Sequence, residues 1–314
     1  MDVTIGVDVG GTKIAAGVVG ADGVVLARKL IPTDASDPAA VVAGITKLAT
    51  EMRAAAPHAG AVGIGAAGLI DADHGIVLGA PNIAWQNLHL ASMLRERLKL
   101  PVVVDNDANV AAFGEALHGA GAGHGDQIMV TVGTGIGGGI IIGGHVYHGA
   151  RGVGAELGHM IVQAGGPRCA CGNDGCFEAL ASGNSIGRRA RARSAEPGAR
   201  ALLGKAGSPD AITGELVGET AAAGDAWCAA IVAETGGWLG TGIGSLVNIF
   251  DPDVVVVGGG AASGLGEMLL APAREKMATL LVERRWRTVP PVVAAGLGPD
   301  SGMVGAAALA RALL

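Results

Sequence analysis

The same order of short apolar runs and glycine turns occurs twice in this chain of 314 residues. The first copy, at residues 3–30, reads VTIGVDVGGTKIAAGVVGADGVVLARKL. The second, at residues 127–149, reads QIMVTVGTGIGGGIIIGGHVYHG. Short β-branched runs joined by tight glycine turns are typical of consecutive antiparallel strands. Each copy therefore predicts a three-stranded meander, and the repetition predicts a duplicated fold.

Helical stretches that alternate with short buried strands follow each meander. The predicted strands are 61–64 and 102–104 in the first half, and 254–257 and 292–295 in the second. The uncharged stretch 235–250 predicts a buried helix. Strand, helix, strand order of this kind indicates mixed sheets flanked by helices, which places the chain in the α/β class.

The length of the chain suits about two domains, each with its own core. We predict a small α/β domain over residues 1–118, to which a C-terminal helix at about 301–314 returns. A larger α/β domain would occupy residues 119–300 and carry a cysteine-rich insertion. The crossover is predicted at the small-residue stretch 119–125.

Composition limits the kinds of core and partner. Half of the residues are hydrophobic, but only 3% are aromatic and 55 are glycine, so the core has to be aliphatic, with close backbone approaches. The net charge of −6 argues against a nucleic-acid partner. The nearby arginines 188, 189, 191 and 193 are interpreted as the solvated face of a helix.

The N-terminal residues predict a cytoplasmic protein, because an acid at Asp2 and an early polar turn do not resemble a signal peptide. The uncharged stretch 128–144 is long enough to resemble a membrane span. Its seven glycines and two threonines interrupt the apolar surface that lipid requires, so we expect no membrane partner.

The first glycine turn is a candidate phosphate site. It consists of Asp8, Gly10, Gly11, Thr12 and Lys13 at the end of the first predicted strand. Glycines let backbone N–H groups point at a phosphate, Thr12 adds a hydroxyl, and Asp8 could hold a divalent cation through water. The alternative is a hairpin that needs glycine only for its backbone conformation. A Walker A loop is excluded by the missing G-x-x-x-x-G-K-[ST] pattern.

The equivalent turn of the second copy strengthens this interpretation. It contains Thr134, Gly135 and Gly137, and we expect the two turns to face each other and clamp a nucleotide's phosphates from both sides. A further run, Gly258, Gly259 and Gly260, joins a predicted strand to a helix and could support an adenosine. Close packing of helix on strand would explain the same three glycines.

The triplet Asp105, Asn106 and Asp107 follows the predicted strand 102–104. A carboxylate at such a strand end could accept the proton of an alcohol that attacks a phosphate. Asp or Asn directly before Ala108 is also typical of a helix N-cap. Both roles can coexist on different residues of the triplet.

Three of the four cysteines lie within eight residues, Cys169, Cys171 and Cys176, and His159 precedes them. Three thiolates and one imidazole suit a tetrahedral structural zinc site. A redox pair, a catalytic cysteine and a disulfide are the alternatives, the last disfavoured in the cytoplasm.

Taken together, these motifs resemble the ROK family of sugar kinases, in particular its ATP-dependent actinobacterial members that act on glucose. The resemblance runs nearly from end to end. It rests on DVGGTK, GIGAAG (63–68), PNIAW (81–85), VVVDNDANVAAFGE (102–115), GAELGH (154–159), CACGNDGCFE (169–178), NIFDPDVVVVGGG (248–260) and GMVG (302–305).

The resemblance implies a two-domain actin- and hexokinase-like fold, of the ribonuclease H type, that closes over ATP, Mg²⁺ and a hexose. Asp107 would be the general base for the 6-hydroxyl of the sugar, while Asp105 supports the loop. The other sugar contacts implied are Gly68, Asn82, Asn106, Glu156, His159 and Glu178. His159 would bind zinc through its other ring nitrogen, which would fix the direction of the donor it offers to the sugar.

Glucose is the acceptor that the resemblance favours. The alternatives are N-acetylmannosamine, N-acetylglucosamine, mannose, allose or fructose, polyphosphate as the donor, or a non-catalytic sugar-sensing protein. The cysteine cluster favours ATP, since relatives that use polyphosphate tend to lack it. A DNA-binding regulator of the family would need a helix-turn-helix segment ahead of Asp8, and we expect none. A homodimer or homotetramer is expected.

Overall fold

The computed structural model describes residues 3–80 and 83–314. The strands are β1 Val3–Val9, β2 Lys13–Gly20, β3 Val25–Pro32, β4 Val62–Ala66, β5 Leu69–Asp71, β6 Ile76–Gly79, β7 Gln86–Leu88, β8 Val102–Asn106, β9 Gln127–Val132, β10 Ile136–Ile142, β11 His145–Val146, β12 Val254–Gly258 and β13 Val292–Ala294. The helices are α1 Pro38–Ala55, α2 Leu90–Leu98, α3 Asp107–His118, α4 Phe177–Ala181, α5 Gly183–Ala192, α6 Arg200–Ala206, α7 Gly214–Ala222, α8 Ala226–Phe250, α9 Gly260–Leu265, α10 Glu267–Leu280 and α11 Ser301–Arg311.

The two five-stranded sheets confirm the predicted duplication. Their strand orders are β3-β2-β1-β4-β8 and β11-β10-β9-β12-β13. When only the strands of each large sheet are counted, both have the order 3-2-1-4-5. In the first sheet β2 is antiparallel to β1 and β3, whereas β4 and β8 run parallel to β1. In the second, β12 and β13 are parallel. A small third sheet of β5, β6 and β7, which we did not predict, follows β4.

Two compact units make up the chain. The first consists of Met1–Met129, Gly139–Ala155 and Ala295–Leu314. The second consists of Val130–Gly138 and Glu156–Ala294. The domain boundaries given above from the sequence stay a prediction.

Aliphatic side chains build the core of the first unit. Alternating residues of β1, among them Ile5 and Val7, are fully buried, and Ile45 and Leu48 of α1 pack in the same cluster. β-Branched residues suit a strand that is covered by other elements. Helix α1 begins at an N-cap, Asp37, whose carboxylate accepts from the Ala39 N–H at 2.8 Å.

Helix α11 lies directly on β1, β4 and α3, because glycines bring the backbones together. A Cβ added to Gly6, Gly63 or Gly305 would lie 1.9, 1.8 or 1.6 Å from a carbonyl oxygen of the facing element. The Thr4 hydroxyl donates to the Ala307 carbonyl at 2.7 Å and helps to hold this contact. The glycine-rich, aromatic-poor composition therefore reflects backbone packing in the interior.

Three arginines of α5 correct one prediction, because they do not form a solvated face, whereas Arg193, which follows the helix, pairs with Glu196 at the surface. Arg188 donates to the Ala179 carbonyl, and Arg191 to the Ile212 carbonyl. Arg189 donates to the Leu180 carbonyl at 3.1 Å and pairs with Glu234 at 2.8 Å. Guanidinium groups carry several donors, so they can satisfy carbonyls at helix ends while their stems pack on apolar surface.

Within residues 3–80 and 83–314, no single helix is long and apolar enough to cross a membrane. One pair of helices, α7 and α8, passes that test only when taken together, and it is bent by 119°.

We expect Gly305→Ala to lower the free energy of unfolding by about 3 kcal/mol, since the new methyl group would meet the Val110 carbonyl and neither backbone can move freely. Gly237→Ala in α8 is the matched control, because a Cβ there meets nothing within 4 Å. It should stabilise the protein by up to about 1 kcal/mol through helix propensity. Urea denaturation measures both, and equal effects of the two substitutions would contradict the packing argument.

Candidate active site

The Asp105–Asp107 triplet forms the junction between β8 and α3. The Asn106 side-chain oxygen accepts from the N–H groups of Ala108 at 2.9 Å and Asn109 at 3.1 Å, so Asn106 is the helix N-cap. Its amide donates to the Gly68 carbonyl at 3.0 Å. Asp107 is the first residue of α3. The cap thus falls on Asn106, while the Asp107 carboxylate accepts from the Ala108 N–H at 2.9 Å. A catalytic role for Asp107 stays a prediction.

Two carboxyl groups of the first unit, those of Asp107 and Asp8, have raised pKa values. Burial raises the pKa of Asp107 above its ordinary range. Burial and the charge of Asp107 raise the pKa of Asp8 to about 6, although Lys13 opposes the shift. Raised pKa values with such causes are common at sites that handle protons or bind cations.

The first glycine turn joins β1 to β2 as a hairpin. The Gly10 N–H donates to the Lys13 carbonyl at 3.0 Å, and Thr33 donates through its hydroxyl to the Gly10 carbonyl at 2.8 Å. The Thr12 carbonyl accepts from the Thr33 N–H at 3.0 Å. The Thr12 and Lys13 side chains are exposed, and Gly11 is half-buried. Thr33, directly after β3, therefore holds the turn, and anion binding by its exposed residues stays a prediction.

The second glycine turn, between β9 and β10, is held by the start of α5. The Gly133 carbonyl accepts from the N–H of Gly183 at 2.8 Å, and the Thr134 carbonyl accepts from the N–H of Asn184 at 3.3 Å. A Cβ on Gly135 would lie 2.3 Å from a Glu178 carboxylate oxygen, so a side chain here would displace that carboxylate. Gly137 lies in β10.

The third glycine run joins β12 to α9 as predicted. Gly258 ends the strand, Gly260 begins the helix, and Gly259 has φ of +92°. A Cβ on Gly259 would lie 2.5 Å from the Val132 carbonyl oxygen. Close packing alone therefore explains Gly259, and a contact with adenosine stays a prediction.

His159, Cys169, Cys171 and Cys176 come together as the sequence predicted. Their ligand atoms all lie within 4.8 Å of one another. The Cys169 sulfur lies 3.8 Å from Nδ1 of His159, and the sulfurs of Cys171 and Cys176 lie 3.5 Å apart. Ligands of tetrahedral zinc at about 2.3 Å are separated by about 3.8 Å. The four side chains fit zinc, with Nδ1 of His159 turned to the cysteines.

Glu178 lies between this cluster and the second glycine turn. Its Oε2 atom accepts from the Ile136 N–H at 3.0 Å, and its Oε1 atom lies 3.7 Å from the Cys169 sulfur. Glu156, also predicted to bind sugar, is exposed and directly precedes a short 3-10 helix, Leu157–His159. Glu178 and His159 are therefore brought to one place in the second unit.

The predicted residues are placed in part. Asp8, Asn106 and Asp107 belong to the first unit, where Gly68 contacts Asn106. The Cys/His cluster and Glu178 belong to the second. Asn82 lies outside the described residues. The sugar and phosphate contacts assigned to these residues stay predictions.

Two groups of the first unit, the buried Glu115 and the partly exposed His148, were missed from the sequence. Glu115 of α3 accepts from the N–H groups of Ala120, Gly296 and Leu297 and from the Ser301 hydroxyl, at 2.8 to 2.9 Å. His148 contacts Asp105. Glu115 ends the VVVDNDANVAAFGE motif, but its partners lie up to 186 positions away, and no local pattern identifies them.

We predict that Asp8→Asn stabilises the ligand-free protein. An aspartate whose folded-state pKa is raised from 3.8 to about 6 costs native stability above pH 6, and the cost disappears below about pH 4, where the carboxyl is neutral in both states. The gain at pH 7.5 should be about 1 to 3 kcal/mol. Urea denaturation at pH 7.5 and below about pH 4 measures this gain in the free energy of unfolding, with Asp37→Asn as an exposed control. A loss of stability at pH 7.5 would contradict the assigned burial cost.

The model for the ROK family matches residues 4–313. A glucokinase from Streptomyces coelicolor is 44% identical over 99% of this chain and 98% of its own length.

Among solved structures, a ROK family glucokinase from Streptomyces griseus, in complex with glucose and AMPPNP, is 44% identical and has a TM-score of 0.87, with 99% of both chains covered. A ROK hexokinase from Thermus thermophilus is 35% identical, with a TM-score of 0.82 over 99% of this chain and 98% of its own. These likenesses confirm the predicted duplicated, hexokinase-like α/β fold. The chain belongs to the ROK family.

Proposed function

We propose that this protein transfers the γ-phosphoryl group of ATP to the 6-hydroxyl of glucose. The observation that carries the proposal is the half-buried Asp107 carboxyl, with a raised pKa at the first residue of α3, in a chain whose relatives of 44% identity are glucokinases. The likeness to a structure that holds glucose and AMPPNP supports both substrates.

Asp107 would act as the general base. A carboxyl in water has too low a pKa to accept an alcohol proton efficiently, and burial moves the pKa of Asp107 towards neutrality. Asn106 fixes the backbone at the start of α3 through its two cap bonds. The base therefore sits at a position with little freedom, which suits an in-line transfer that depends on geometry.

The two glycine turns would hold the phosphates. Exposed Thr12 and Lys13 offer a hydroxyl and a positive charge, and the second turn offers Thr134 together with backbone N–H groups at Gly135 and Gly137. Gly10 and Gly11 shape the first turn, and Gly258, Gly259 and Gly260 would support the adenosine. Mg²⁺ bound with ATP would neutralise phosphate charge, and Asp8 would hold it through water.

The Cys/His cluster would form one side of the sugar site. With Nδ1 of His159 directed to the cysteines, Nε2 remains to donate to a sugar oxygen in a fixed direction. Glu156 and Glu178 would accept from sugar hydroxyls on the same side, and Asn82, Asn106 and the backbone near Gly68 would bind others. Zinc in this cluster is structural, and no reaction step passes through it.

An ADP-release assay with a panel of hexoses, and with ATP or polyphosphate as the donor, tests the reaction. We expect glucose with ATP to give the highest kcat/KM. A higher kcat/KM for N-acetylmannosamine, N-acetylglucosamine, mannose, allose or fructose would identify that sugar as the acceptor. If no sugar stimulated the release of ADP, the result would favour a non-catalytic, sugar-sensing protein.

In the same assay, Asp107→Asn should lower kcat by about 10² to 10⁴, because the amide cannot accept the proton. Glucose binding, measured by calorimetry, should persist. The kcat/KM of the parent should fall as the pH drops through the raised pKa of Asp107. Asp37→Asn is the control, since asparagine also caps a helix. A near-normal kcat for Asp107→Asn would rule out this base.

Cys171→Ser should release zinc and weaken glucose binding. Burial and the neighbouring cysteines raise the pKa of Cys176 to about 12, so metal binding has to displace protons and needs its full ligand set. We expect about one zinc per chain in the parent and a loss of about 10-fold or more in glucose affinity for the variant. Cys228→Ala, which replaces a cysteine outside the cluster, should retain zinc. Unchanged glucose affinity after loss of zinc would break the proposed link.

A further inference from the structure

His148 has no part in the proposed reaction, yet it reaches the Asp105–Asp107 triplet. It follows β11 and begins the segment 148–155 that leads to Glu156. The Gly154 N–H donates to the His148 carbonyl at 2.8 Å, which folds the segment back on itself. A Cβ on Gly152 would lie 3.2 Å from the Ile70 carbonyl, so the segment also packs against β5.

The His148 ring contacts the first residue of the triplet. Its Nε2 atom lies 2.7 Å from Oδ2 of Asp105, and the side chains are 32% and 4% exposed. An ionised carboxylate only accepts hydrogen bonds, so Nε2 carries the proton. Hydrogen bonding to Asp105 raises the pKa of His148 against the opposing effect of burial, and Asp73 is the second carboxylate that acts on the ring. The contact is therefore an ion pair, with both partners charged, in a growing fraction of molecules as the pH falls.

The other oxygen of Asp105 holds the triplet itself. Oδ1 accepts from the Asn106 N–H at 2.7 Å and from the Asn109 side-chain amide at 3.1 Å. Asn106 in turn caps α3 and binds the Gly68 carbonyl, and Asp107 follows it. A rotation of the Asp105 carboxylate would break its bonds to the Asn106 N–H and to the Asn109 side-chain amide. Asn106 directly precedes the proposed base. His148 is the partner that opposes this rotation from the far oxygen.

We propose that His148 is a positioning residue for phosphoryl transfer, which holds Asp105 so that the Asn106–Asp107 turn keeps its geometry. The inference rests on the proposed role of Asp107 as the base. It also gives the segment 148–155 a contact with the turn that carries the base.

A second histidine of the same unit offers a matched comparison. His74 pairs with Asp71 at 2.9 Å, but its side chain is 71% exposed. If both His–Asp pairs contributed only to general stability, removal of His74 and removal of His148 would have similar effects on turnover.

The test compares His148→Ala, His148→Gln and His74→Ala by kcat and by the KM values for glucose and ATP. We expect His148→Ala to lower kcat by about 10- to 100-fold, because small displacements of a catalytic group have effects of this size. The KM for ATP should stay within about twofold of the parent. His148→Gln, whose amide can replace Nε2–H, should recover most of the loss, and His74→Ala should resemble the parent.

Coupling between the two partners separates positioning from folding. Asp105→Asn combined with His148→Ala should lose little more kcat than the worse single variant, because both remove the same bond. All rates refer to the folded fraction, measured by urea denaturation. Independent, multiplying losses, or a kcat for His148→Ala equal to that of the parent, would overturn the inference.

The outcome for Asp107→Asn keeps the two proposals apart. Normal turnover of His148→Ala beside an inactive Asp107→Asn would refute only the role of His148. Normal turnover of both variants would refute the proposed base as well.

Discussion

The first unit depends on backbones that touch. Helix α11 lies so close to β1, β4 and α3 that a methyl group on Gly6, Gly63 or Gly305 would overlap a carbonyl oxygen. A Cβ on Gly302 would likewise lie 2.9 Å from the Asp8 carboxyl carbon. The contact sets the position of α3, which begins with Asp107, and crowds the surroundings of Asp8. The geometry around Asp8 and Asp107 thus depends on core packing in this unit. Glycine permits the close backbone contacts that larger residues would prevent.

Such close packing leaves little water for charged groups, and the carboxylates respond in two ways. Glu115 and Asp105 are buried but surrounded by N–H and O–H donors, which replace the hydrogen bonds of water. Asp8 and Asp107 keep raised pKa values, because burial is not balanced for them. The first pair holds structure, and the second retains the unmet electrostatic demand that a cation or a proton can satisfy.

The sequence predicted the fold more completely than it predicted the contacts between residues that are far apart in the chain. Alternating apolar runs and glycine turns predicted both meanders and every strand of the two large sheets, because period and turn chemistry are local properties. Local spacing also suggested the Cys/His cluster and the capping role within the triplet. The contact of His148 with Asp105 spans 43 positions, and the carboxylate of Glu115 binds Ser301 across 186. The arginines of α5 misled for the same reason, since their carbonyl partners are set by tertiary packing.

Glu178 shows how the second unit combines its two candidate sites. One oxygen accepts from the Ile136 N–H at the second glycine turn, and the other lies 3.7 Å from the Cys169 sulfur. A carboxylate that is bonded to the turn through Oε2 cannot follow a displacement of the turn without changing the distance of Oε1 to the cluster. If the turn binds phosphate and the cluster borders the sugar, Glu178 makes the two positions interdependent. A phosphoryl donor and its acceptor have to be aligned within tenths of an ångström, so a shared rigid group serves the reaction better than two independent sites would.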